Sequence, residues 1–63
     1  MDVQKTEAGI LARRFGFKTG PVLKWFKAEG IPSILALKDR YPGAEHSEAM
    51  RQARDEIERF AFR

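Results

Sequence analysis

Glycine and proline cut this chain into short helical runs, and the cut at Gly16 constrains the fold most. From Ile10 to Ala28 the order is Ile-Leu-Ala-Arg-Arg-Phe-Gly-Phe-Lys-Thr-Gly-Pro-Val-Leu-Lys-Trp-Phe-Lys-Ala. Before the glycine, Leu11, Ala12 and Phe15 stand at helical spacing, and Gly16 suits the left-handed residue that ends a helix. Thr19 is the expected N-cap of a second helix, with Pro21 in its first turn, where the missing N–H costs nothing. Val22, Trp25 and Phe26 recur at i, i+3 and i+4 and give that helix one apolar face. Phe17 reads as a buried residue in the turn. Such positions lock two short helices together at a steep angle.

The spacing is fairly specific. Ala12 precedes Gly16 by four, Val22 follows it by six, and Trp25 lies three further on, while Leu11, Phe15 and Phe17 fill the other apolar slots. The segment resembles the helix-turn-helix of the phage Cro and repressor class, and Trp25 followed by Gly30-Ile31-Pro32 is similar to many small members of it. The resemblance covers about residues 6–41. It implies that the second helix enters the major groove of double-stranded DNA and the first crosses the backbone. It also implies roles for individual residues. Thr19, Gly20, Leu23 and Lys24 would face base edges, with Lys18 at the exposed start of the helix. Arg13, Arg14 and Lys27 would grip phosphates on either side of the groove. The family's helix ahead of the motif has no counterpart in residues 1–5, which are too short for one. Another segment must therefore cover the outer side of the first motif helix.

Charge supplies an independent criterion. Between Ile10 and Ala28 stand Arg13, Arg14, Lys18, Lys24 and Lys27, with no acidic residue. Residues 1–31 carry six basic and three acidic side chains and residues 32–63 carry six of each, so the net +3 lies wholly in the half with the motif. A phosphate-binding face has this distribution. Five charges on a solvated surface, or on a face that docks to an acidic protein, have it too, and a helical hairpin alone does not decide between these duties.

The flanks read as helices. Thr6 is the expected N-cap of the first, with Glu7 near its positive end, and Gly9 weakens that helix by about 1 kcal/mol unless a close contact needs the gap. The second helix ends at Glu29, capped by Gly30. A third is expected over about 32–40, packing Ile34, Leu35 and Leu37 under the motif with Ala36 permitting close approach, and Tyr41-Pro42-Gly43 stops it. The longest runs over about 47–61, with an apolar stripe of Ala49, Met50, Ala53, Ile57, Phe60 and Ala61. Arg51–Asp55, Arg54–Glu58 and Asp55–Arg59 are opposite charges at i,i+4 on its remaining surface. Met50, Ala53, Ile57 and Phe60 also follow the spacing of a coiled-coil seam, so this helix serves either to join two copies of the chain or to cover its own motif. Phe62 lies off the stripe and points to another contact at the C-terminus.

Composition bounds the rest. Sixty-three residues make one domain with a small core, generously supplied by five Phe, one Trp and one Tyr. With no cysteine and one histidine, a structural metal is not expected. No run has transmembrane length and no signal segment precedes the motif, so a soluble, cytoplasmic chain is expected, associated with the nucleoid if it binds DNA. No catalytic arrangement is present: His46 neighbours Ser47 in sequence but points elsewhere on a helix, and the carboxylates near the C-terminus alternate with arginines. The glycines at 16, 20, 30 and 43 read as turn or cap positions rather than as a phosphate-cradling loop.

The reading is an all-α, helix-turn-helix domain of about four helices with a longer C-terminal helix. It is expected to bind duplex DNA, without cofactor, small-molecule ligand or enzymatic activity. The commonest duty of the class is repression of transcription, and phage or plasmid excision and packaging proteins use the same parts. A homodimer joined through Met50, Ala53, Ile57 and Phe60 would set two recognition helices about 34–36 Å apart on a palindromic operator. The rival reading is an interaction module docking on an acidic protein partner.

Overall fold

The computed structural model describes residues 2–61, and these form four helices and no strand. The first, α1, spans Val3–Phe15 and begins earlier than the sequence suggests. Asp2, not Thr6, is its N-cap: the Lys5 backbone N–H donates to Asp2 Oδ1 at 3.1 Å. Thr6 is a helical residue whose hydroxyl donates to the Asp2 carbonyl at 3.2 Å. Residues 3–5 hold a helical course because Gln4 has a distant partner, its Nε2 donating to the Ile31 carbonyl at 2.7 Å. Glu7, displaced from the first turn, accepts the Ile34 backbone N–H at 3.0 Å. The segment after the second helix is thus what covers α1 where a leading helix would otherwise sit.

The second helix, α2, spans Thr19–Glu29. Gly16 and Gly30 close α1 and α2 in the left-handed conformation, at φ 75° and 68°, as their sequence positions suggest. The residue before α2 is Lys18, which makes no side-chain cap, so Thr19 is the first helical residue rather than the N-cap. Gly20, likewise, lies inside the helix rather than in a turn.

The third helix, α3, is a single turn, Leu37–Arg40, where a helix from about 32 is expected. Pro32 and the loop's bonds to α1 hold the preceding chain in turns, in which Ala36 and Leu37 donate to the carbonyls of Ser33 and Ile34 three residues back. Ile34 and Leu37 are buried, but Leu35 is 70% exposed and does not pack under the motif. The chain turns at Pro42-Gly43, with Gly43 at φ 86°, into α4, His46–Ala61. His46 is the exposed first residue of α4.

One apolar cluster unites the elements. Leu11 from α1, Val22, Trp25 and Phe26 from α2, Leu37 from α3 and Ile57 from α4 are its largest fully buried side chains. Helix α4 packs on α2 and α3. Its stripe is spent there: Met50 is 4% exposed, and Ala53 and Ile57 are inaccessible. The seam expected to join two copies therefore faces the interior of a single chain, and of its four residues only Phe60 reaches the surface, at 37% exposure. On the outer face Arg54 pairs with Glu58 at 3.5 Å as spaced, whereas Arg51 turns back to Glu48 rather than forward to Asp55. The surface role expected of Phe62 lies outside the described residues. None of the helices is long and apolar enough to cross a membrane.

Candidate nucleic-acid interface

The connection between α1 and α2 is three residues long, and backbone hydrogen bonds fix it. Both the Gly16 and Phe17 N–H groups donate to the Ala12 carbonyl, the latter at 2.8 Å, so α1 ends on a closed turn. Phe17 is half-buried, its ring 6.4 Å from that of Phe15. Thr19 lies against Gly9 of α1, its Oγ1 3.8 Å from where a Cβ on the glycine would stand. The two helices are thereby held as one hairpin, and side chains projecting from it are positioned by buried aromatics rather than by a loose loop.

Each residue assigned to the interface can be placed on this hairpin. Arg13 and Arg14 occupy the last turn of α1 and are exposed. There they complement the negative end of the helix as well as facing solvent. Lys18, Lys24 and Lys27 are exposed along the entry and length of α2. Gly20 is exposed, and a Cβ built on it meets no atom within 4 Å. Thr19 and Leu23 are half-buried, Leu23 against the core, so they offer only part of their surface to a partner.

The cations differ in use, although Lys38 of α3 is also exposed and in no ion pair among the described residues. Among the described residues, Arg13, Arg14, Lys18, Lys24 and Lys27 take part in no ion pair, although the Arg14 guanidinium lies 5.8 Å above the Phe15 ring. Arg40, Arg51 and Arg54, by contrast, are all paired with carboxylates. Arg40 is the most heavily engaged. Its Nη2 lies 2.7 Å from Glu29 Oε1 and 2.6 Å from Glu56 Oε1, its Nε donates to Glu56 Oε2 at 3.2 Å, and its guanidinium stands 5.4 Å from the Trp25 ring. The Tyr41 hydroxyl donates to the same Glu56 carboxylate. The hydrogen bonds from Arg40, more than that from Tyr41, hold Glu56 below the ordinary carboxylate range against the opposing effect of burial. Burial, reinforced by Glu56, pushes the Tyr41 phenol up to about 12.

This cluster ties the end of α2, α3 and the middle of α4 together, and sequence reasoning missed it. Its partners lie up to 16 residues apart across a turn, and no local spacing signals them. Sequence reasoning also missed the position of Phe60. The end of α4 brings Phe60 and Ala61 against Gly20, Pro21 and Lys24, so a groove runs beside the first turns of α2. Arg54 also approaches the hairpin, its guanidinium 5.7 Å from the Phe15 ring.

The arrangement presents the cations of α1 and α2 to solvent without ion-pair partners among the described residues. No family model matches this chain, and neither the curated proteins nor the solved structures contain a match.

Proposed function

We propose that this chain binds duplex DNA in a sequence-specific manner through the α1–α2 hairpin and acts as a small transcriptional regulator, most simply a repressor that occupies its operator. The observation that carries the reading is the state of the hairpin cations: among the described residues they are exposed and free of carboxylates, while Arg40, Arg51 and Arg54 are held in ion pairs. Cations that neutralise phosphates release condensed counterions, and unpaired ones do so without giving up an internal ion pair. Lys24, on the second turn of α2, would read a guanine edge, and Arg13, Arg14 and Lys27 would contact phosphates. Lys18 would reinforce them at the start of α2, where Thr19 and Gly20 let the backbone come close to the groove.

Selection of bound duplexes from a random pool tests this reading. Enrichment of one sequence, bound with an affinity that falls steeply with salt, is expected. Replacing Lys24 with alanine should then erase much of the preference for that sequence, while an equal loss on all sequences would make Lys24 a phosphate contact. A pool that yields neither enrichment nor salt-dependent retention would transfer the basic face to an acidic protein partner.

A further inference from the structure

Of the four seam residues Met50, Ala53, Ile57 and Phe60, only Phe60 lies outside the core. Met50, Ala53 and Ile57 are between 0 and 4% exposed, whereas Phe60 is 37% exposed at the far end of the same helix. Its surroundings are not those of a surface aromatic placed at random. With Ala61 it forms one wall of a groove, and Gly20, Pro21 and Lys24 of α2 form the other. The first turns of a recognition helix are the part that reaches base edges in the major groove. Here those turns are poor in polar readers, since Gly20 has no side chain and Pro21 has no backbone N–H. Among the described residues, Lys24 is the only charged side chain lining the groove, and it bears no carboxylate partner.

Resting on the DNA-binding reading above, we propose that Phe60 is a base-reading residue contributed by α4, and that its ring takes the 5-methyl group of a thymine beside the guanine engaged by Lys24. The chemistry selects this occupant. A phenyl ring offers no donor to a phosphate. In the major groove, thymine alone presents an apolar group, and apolar side chains are its readers. A Cβ added at Gly20 would meet no atom of the chain beyond its own neighbours and helix backbone within 4 Å, so this side of the groove is open. The hairpin and α4 thus read adjacent base pairs, one by a donor and one by apolar contact.

The test alters the DNA as well as the protein. In the duplex recovered from selection, each thymine is replaced in turn by deoxyuridine, which removes only the methyl group. For the wild-type protein one replacement should weaken binding about fourfold, the effect of burying one methyl group. Phe60→Ala should bind the thymine and deoxyuridine duplexes equally at that position. Phe60→Gln, which replaces the ring with a polar side chain of similar length and does not weaken the helix, should do the same, and a circular dichroism melt identifies which variants are folded. Tight wild-type binding with no methyl-dependent position, or with methyl dependence unchanged in the folded variant, would overturn the inference and leave the DNA-binding reading standing. Wild-type binding to duplexes of every sequence alike would also overturn it. Failure of the wild-type protein to bind any duplex would overturn both.

Discussion

The packing around position 9 does not require glycine. Gly9 sits in the interior of α1, where glycine is less favourable than alanine by about 0.8–1 kcal/mol. A Cβ there would meet only Thr19, at 3.8 and 4.0 Å, which is ordinary van der Waals contact. Gly9→Ala is therefore expected to stabilise the fold by about 1 kcal/mol, measured by urea denaturation, and a loss of stability would mean that the helices must pack closer than they do here. Arg40 lies at the opposite extreme, because one side chain satisfies two carboxylates and covers Trp25. Arg40→Ala should cost about 2 kcal/mol, the order expected for hydrogen bonds to charged partners. Its partners also set the response to pH. Glu56 is held below its ordinary value, so its contribution is full above the usual carboxylate pKa of about 4.3 and is lost as pH falls through the lower folded value. Tyr41 is raised to about 12, so its contribution is full below its ordinary pKa of about 10 and is lost as pH rises towards 12. Thermal melts should show the penalty of Glu56→Gln shrinking as the solution is acidified below about pH 4. A penalty independent of acid would remove Glu56 from the network.

Helices α1, α2 and α4 were largely legible in the sequence, and α3 was not. The reason is physical. Gly16 and Gly30 end α1 and α2 because each must adopt positive φ, a requirement visible in the residue type itself. The stripe of α4 has a clear helical period, and four of its members are buried as that period implies. The loop over 31–36 carries a helical-looking pattern as well, yet Gln4 and Glu7 of α1 hold its backbone at Ile31 and Ile34 and leave helix only over Leu37–Arg40. Those bonds span 27 residues and cannot be inferred from local spacing. The start of α1 differs in kind: the Asp2 cap is local, three residues before Lys5, but the helical course of residues 3–5 that it caps is held by the Gln4–Ile31 bond across 27 residues. Asp2→Ala should cost about 1 kcal/mol and fray the first turn, and faster amide exchange at Lys5 would report it. Exchange at Lys5 unchanged in the variant would mean that Gln4 alone fixes the helix start.

At the scale of the whole molecule, the cations of the candidate site were legible as a run, but their freedom was not. Sequence cannot tell an exposed lysine from a paired one. Spacing anticipates ion pairs for Arg51 and Arg54, but only the fold shows that Arg40 is paired and that, among the described residues, Arg13, Arg14, Lys18, Lys24 and Lys27 are not. The fold also decides where the α4 stripe faces. Ile57 has no exposed surface in a single chain, so Ile57→Asp should unfold the protein by placing an unpaired charge in the core. A folded, monodisperse Ile57→Asp chain would show that the helix can leave its own core. The central claim is that the unpaired cations of α1 and α2 form a phosphate-binding face, and its most direct test is the salt dependence of duplex binding. Fluorescence anisotropy between 50 and 200 mM salt should give a linear fall of log affinity with log salt, and replacing Arg13 and Arg14 together with alanine should reduce the slope by about 2. A folded double variant that keeps the full wild-type slope, or a wild-type protein whose duplex binding does not change with salt, would contradict the account.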